Sequence, residues 1–442
     1  MTFLSIAAAV EARLEQIAKR SSLNAFITVD KTGAMRSARR LDAERGDLPL
    51  RGIMLAVKDN IHVAGLPNSA GTPALKNFIA PDSSPAVARL QKAGCIVLGK
   101  AGLHELAMGI TSKNEAFGAI RNPLNEKLIP GGSSGGTAVA VAAELADAGL
   151  GTDTGGSIRI PAALTGIVGF RPTSGLYPQA GLTMISPTRD TIGVMAKTVD
   201  KAARLHEVIT GRTVGSLPSR IRLGIPESHF CDGLDPDVSA AFRRYLDTLD
   251  HAGFELVYVD MTNVPELNAA LSAPIVMHEI ALTVPAYLAS YRTGVSADAL
   301  LADVAGADVR ALLNLAFSGH IIKSAYEKAL LIDRPRLRRA FADYFLSNRL
   351  DAVTFPTVPI TARPIEGIEV GVRVNGALQD TFATHIRNTD PASNAGVPAL
   401  SLPGGKDRSG LPIGMEIQGP EGSDARLLAI GKAIEEALHG TF

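Results

Sequence analysis

The sequence predicts an α/β fold: a central β-sheet flanked by helices, with a helical insertion in its second half. Three observations predict it. Short apolar runs of strand length alternate with amphipathic runs of helix length, first as strand–helix–strand over residues 53–99. Glycine is abundant at 43 of 442 residues, above the usual ~7%, as many tight turns between short elements require. From about 265 to 349 the strand-length runs stop and the pattern becomes helical.

In order, residues 4–20 read as an amphipathic helix carrying Glu11, Arg13 and Glu15. No basic start or cleavage site accompanies its apolar run, so it is not read as a signal peptide. Asn24–Asp30 is a strand, followed by a charged helix from about 35 to 46. Ile53–Ile61 holds an apolar strand that ends on Lys58, a cation whose upstream neighbours are all apolar. Residues 85–93 are a helix and 95–99 a strand. The stretch 100–129 is loop-rich, with Met108–Thr111 a candidate pocket wall. A helix over about 135–146 and a short strand at Leu150–Asp153 come next. Pro161 suits the first turn of another helix. Strands at 220–225, 255–259, 351–356, 399–403 and 413–418 follow, with helices at 235–252 and 423–438. Residues 383–399 are helix or loop. No internal repeat or low-complexity linker divides the chain. One unit spans 1–442, with its core at about 50–200 and the helical insertion at about 265–349.

Composition narrows the function. Lys+Arg and Asp+Glu are 44 each, so no net field draws nucleic acid or an anionic membrane. No apolar run approaches the ~18 residues of a membrane span without a charge. The chain reads as soluble and cytoplasmic. Cys95, inside an apolar run, reads as a buried small hydrophobe. It and Cys231 have no CxxC partner, so no zinc or redox site is expected, and no cofactor.

Two glycine-framed serines stand out: Gly131-Gly132-Ser133-Ser134-Gly135-Gly136 and Thr154-Gly155-Gly156-Ser157, 24 residues apart from Ser133 to Ser157. A serine in such a turn is displayed beside free main-chain N–H groups. Acyl transfer needs that pairing of hydroxyl and oxyanion pocket. The first cluster is no P-loop, because no Lys-Ser/Thr follows its glycines. It matches G-x-S-x-G on both Ser133 and Ser134. That elbow would need an acid and a histidine downstream, and His278, His320 and His385 lie in no recognisable context. Ser157 sits just before a helix, whose dipole favours developing negative charge. Lys58 reads either as a strand-end lysine reaching for solvent or as a desolvated base.

The combination of Lys58, GGSSGG and GTDTGGSIRIPAA resembles the amidase signature family over nearly the whole chain, from Val57-Lys58-Asp59-Asn60 to Asn394-Ala395-Gly396-Val397-Pro398. Within it the sequence is similar to bacterial indoleacetamide and mandelamide hydrolases, through Ile185–Thr191 and Arg387-Asn388-Thr389-Asp390-Pro391. The resemblance implies the family's large mixed sheet and a Ser–cis-Ser–Lys triad: Ser157 as nucleophile, Ser133 as the bridge after a cis peptide bond, Lys58 as base. It implies Thr154, Gly155 and Gly156, with Ser157, as the oxyanion hole. The substrate would be a small, aryl or indolyl, primary amide, cleaved through a serine acyl-enzyme. No metal is implied, and a homodimer is compatible with related enzymes. Asp153 and Arg159 read as a scaffold ion pair, Asp59 as support for the loop around Lys58, and Ser134 as either a hydrogen-bonding support or a plain turn residue. The alternative is the glutamine-hydrolysing A subunit of a tRNA-dependent amidotransferase. A non-catalytic scaffold is a third reading, against which all three triad positions are present.

Overall fold

A computed structural model describes residues 5–44, 46–215, 217, 220–319 and 322–439. His320 lies outside them, as does the first residue of the helix expected over 4–20, which runs Ile6–Lys19. Thirteen strands are described: β1 Phe26–Val29, β2 Met54–Lys58, β3 Ile96–Ala101, β4 Ala148–Asp153, β5 Val168–Arg171, β6 Thr191–Ala196, β7 Arg222–Ile225, β8 Glu255–Tyr258, β9 Ala352–Pro356, β10 Val372–Val374, β11 Ala377–Gln379, β12 Ala399–Lys406 and β13 Pro412–Gln418. Eleven form one sheet in the order β1-β3-β2-β4-β6-β5-β12-β13-β9-β7-β8, and β10 and β11 pair as a separate hairpin. The large sheet is mixed. β2 runs parallel to β3 and β4, β7 parallel to β8 and β9, and the central pairs from β4 to β9 are antiparallel.

Strand side chains alternate between faces, so each face collects its own core. Leu55 and Val57 join Leu150, Val194 and Leu400 under the helices Pro85–Lys92, Val199–Thr210, Pro236–His251 and Asp424–Leu438. Met54 and Ala56 join Ile96 and Leu98 under the helices Ile6–Lys19, Lys31–Ala43 and Gly135–Ala142. Each buried Leu, Ile or Val contributes roughly 1.5–3 kcal/mol relative to exposure. By the same alternation Lys58 falls on the second face, beneath the helix that follows the first glycine cluster. That helix lies unusually close to the sheet. A Cβ on Gly136 would come 2.4 Å from the Gly102 nitrogen, and one on Gly149 would come 2.4 Å from Thr137 Cγ2.

Several boundaries differ from expectation. The second helix starts at Lys31, not 35, because the Asp30 carboxylate accepts the Gly33 N–H at 2.9 Å and caps it. The helix expected to 146 stops at Ala142, and Glu144 takes a left-handed conformation at φ 60°. Pro161 is the third residue of Arg159–Thr165. Strands β5 and β6 and the helix Val199–Thr210 were not anticipated.

Between 264 and 348 the described residues form a series of helices, Val264–Ser290, Ala297–Asp303, Ala307–Phe317, Lys323–Lys328 and Arg334–Asn348, and no strand. The helix Val264–Ser290 has 27 residues and a mean hydropathy of 1.4 over its most apolar window, enough by length and composition to cross a membrane. It also carries Glu266, His278 and Glu279. Glu279 is buried and accepts hydrogen bonds from Ser186 and Tyr326. Tyr287 on the same helix bonds His62 at 2.7 Å. This helix packs against the body of the molecule as the wall of a cavity.

Candidate active site

Lys58 ends β2 and is fully buried. Its Nζ lies 2.7 Å from Ser133 Oγ and 2.7 Å from Thr152 Oγ1. Asn60 Nδ2 donates to the same threonine oxygen at 3.2 Å. Among the described residues no carboxylate pairs with this amine. Burial lowers its pKa from 10.5 to about 7, against a partial upward pull from Asp190 and Asp153. A neutral amine at this distance from a hydroxyl can take its proton.

Ser133 follows a cis Gly132–Ser133 peptide bond. Its carbonyl accepts the His104 N–H at 3.1 Å. Ser134 supports by hydrogen bonding: its hydroxyl donates to the Thr152 carbonyl at 3.1 Å and accepts the Thr152 N–H at 3.3 Å. The first cluster is thereby fastened to β4, which carries Thr152 to Lys58.

Ser157 lies in the turn between β4 and the helix Arg159–Thr165. The Ser134 N–H donates to the Ser157 carbonyl at 3.2 Å, which joins the two glycine clusters. Lys58 and Ser133 are thus in direct contact, and Ser157 bonds neither of them but Ser134, the next residue after Ser133. The Ser157 hydroxyl bonds no described residue, and it lines a cavity of about 500 Å³. Ser157 is 6% exposed where Ser133 is 0%. The main-chain N–H groups of Thr154, Gly155, Gly156 and Ser157 also donate to no described residue. Gly156 has φ 138°, and a Cβ there would sit 2.2 Å from Thr389 Oγ1. Only glycine suits that point.

Charges brace the turn from outside. Asp153 pairs with Arg159 at 3.0 Å and with Arg171 at 2.9 Å, and Arg159 also pairs with Glu416 at 2.6 Å. Burial pushes the Asp153 carboxyl up, but Arg159 and Arg171 outweigh it and hold the group well below the usual carboxylate range. The expected scaffold ion pair is therefore part of a larger buried cluster. Thr154 donates to Asp190 at 2.5 Å. Arg189 donates to the Thr154 carbonyl at 3.0 Å and pairs with Asp390. Asp59 accepts from Ser69 and pairs with Lys100 at 2.9 Å, beside the loop after Lys58. Of the histidines, His278 stacks on Tyr326 with ring centroids 4.2 Å apart. His385 Nδ1 bonds the Thr381 carbonyl at 2.7 Å. Neither touches a serine of the two clusters. Among the described residues no group of His, Cys, Asp or Glu could hold a metal.

The cavity walls are mainly apolar. Ala269, Val276, Met277 and Ile280 come from the helix Val264–Ser290, and Met108 and Ile110 from the loop expected to line a pocket.

A family model described as "Amidase" matches residues 8–428. The chain belongs to the amidase family. An indoleacetamide hydrolase of Agrobacterium vitis is 43% identical over 97% of this chain and 93% of its own length. A mandelamide hydrolase of Pseudomonas putida is 41% identical over 97% and 87%. The peptide amidase of Stenotrophomonas maltophilia superposes with a TM-score of 0.84 at 30% identity, over 98% and 93%. The glutamyl-tRNA(Gln) amidotransferase chain of Thermotoga maritima that corresponds to the alternative reading is more distant in shape, at TM-score 0.76 and 29% identity over 97% and 90%.

The sequence pointed to the two serine turns and to the lysine that the fold gathers here; it did not point to Thr152, which bonds that lysine, or to Asn60, which donates to Thr152. Thr152 was visible as the one hydroxyl inside β4, next to the second cluster. Arg189, Asp390 and Arg387 lay in the segments that carried the subgroup resemblance, without a role.

Proposed function

We propose that this amidase hydrolyses small primary amides with an aryl or indolyl acyl group, through an acyl-enzyme on Ser157. The observation that carries the reading is the buried Lys58 amine, lowered to about 7 and 2.7 Å from Ser133 Oγ, next to a cavity-facing serine.

Neutral Lys58 accepts the Ser133 proton as Ser133 accepts that of Ser157. Such contacts tighten when substrate binds, so the open Ser157 hydroxyl of the free enzyme is compatible with the relay. Ser157 Oγ bonds to the amide carbon and the carbonyl electron pair moves to oxygen. The N–H groups of residues 154–157 receive that charge; losing one such donor costs roughly 10²–10³ in rate. As the C–N bond breaks, Ser133 protonates the nitrogen and recovers a proton from Lys58. Ammonia leaves. Water then gives a proton to the same relay and attacks the ester, and Ser157 departs with its proton restored. The sum is amide plus water to carboxylic acid plus ammonia.

The apolar cavity suits a ring better than the glutamine side chain, and the names of the similar hydrolases point the same way. We read the chain as one unit, its core at about 50–200 and the insertion at about 265–349 supplying the acyl wall. It acts on a free small molecule in the cytoplasm, with a homodimer allowed. The test is ammonia release by the purified chain from indoleacetamide, phenylacetamide, mandelamide and glutamine. Turnover of the three aromatic amides supports the reading. Activity on glutamine alone, and only with a partner protein, overturns it.

A further inference from the structure

Two guanidinium groups line the cavity, Arg189 and Arg387. They differ in what they touch. Arg189 is neutralised by Asp390 and also donates to Ser272 Oγ at 3.0 Å. Arg387 has no ion pair among the described residues. Its Nε donates to Asn388 Oδ1 at 3.1 Å, and Nη2 reaches the Phe230 carbonyl only at 3.5 Å. Nη1 donates to no described residue. Asp232, the nearby carboxylate that acts on it, is exposed and forms no ion pair with it. His229 also lines the cavity; an imidazole is neutral or cationic, so it supplies no counter-charge to a guanidinium.

A guanidinium carries five donors and stays charged. Half-buried in a mainly apolar cavity, Arg387 leaves several of them without a protein acceptor among the described residues. It is also near the turn that carries Ser157. Two residues along the chain span at most about 7 Å, and Thr389 Oγ1 donates to the Gly155 carbonyl at 2.6 Å. An acyl group attached to Ser157 therefore comes within reach of this side chain.

We propose that Arg387 is a specificity-determining residue that selects amides whose apolar acyl body ends in a carboxylate. The inference rests on the reading that Ser157 is acylated in this cavity. An indole offers an N–H donor and leaves Arg387 unanswered. A ring carboxylate accepts from the guanidinium in the two-pronged geometry that suits it.

The test compares kcat/KM for phenylacetamide and its ring-carboxylated isomers, in wild type and in Arg387→Met. A hydrogen bond to a charged group of about 1.5–3 kcal/mol corresponds to a preference of about ten- to a hundredfold for one carboxylated isomer. In Arg387→Met that ratio falls at least tenfold, and Arg387→Lys keeps part of it. The ratio is unaffected by a general loss of activity. Equal ratios in wild type and Arg387→Met, or a wild-type preference for the plain amide, overturn the proposal. Equilibrium binding of the same amides to Ser157→Ala, with and without Arg387→Met, reads the preference without turnover. If no amide is hydrolysed, the Ser157 reading fails, and this binding comparison still decides for or against Arg387.

Discussion

In the proposed relay, the pH dependence of turnover follows from one buried amine. Lys58 must be unprotonated to accept a proton, and burial lowers its pKa from 10.5 to about 7. At an unshifted 10.5, only about one molecule in 3,000 would be ready at pH 7. At about 7, roughly half are ready at pH 7, about a tenth at pH 6 and about nine-tenths at pH 8. Desolvation therefore raises the active fraction by about three orders of magnitude, a differential cost on the charged form of about 5 kcal/mol. The sign is fixed, because the base is the deprotonated form: kcat/KM rises with pH and levels off above pH 8. Ammonia release from phenylacetamide, followed from pH 5 to 9.5, gives a single rising limb with a midpoint near 7. A limb centred above 9, or activity that falls from pH 6 to 8, would refute the assignment of Lys58 as the base.

Two further outcomes concern the scaffold around that relay. Thr152→Val removes the second partner of Lys58 while keeping its shape. A hydrogen bond of about 1 kcal/mol then goes from the lysine's orientation, and steady-state kinetics shows kcat lower by about fivefold with KM little changed. Arg159→Met leaves Asp153 and Glu416 as buried carboxylates short of a partner. Breaking such a cluster costs about 3–5 kcal/mol, read as a loss of denaturation free energy larger than that of any surface Arg→Met control.

Much of this site was legible because its parts are local. GGSSGG and TDTGGS each announce a turn by their own composition, and Lys58 stands out against Met54–Val57. The sheet was less legible. β5 and β6 are short, and both are buried along their whole length, so neither shows the alternation that marks a half-buried strand. The start of the Lys31–Ala43 helix was missed because Gly33 disguises its first turn. Arg387 was unreadable as a site for a different reason. Its meaning depends on which residues fail to reach it, and that is a property of tertiary packing.

The proposed chemistry turns on which atom carries the acyl group. Mass spectrometry of the enzyme quenched during turnover of a slow aryl amide or aryl ester measures this directly. One acyl adduct is expected, on Ser157, absent from Ser157→Ala and held longer when Ser133 is replaced by alanine. An adduct on Ser133, on a cysteine or on any other residue, or an adduct that survives in Ser157→Ala, would contradict it.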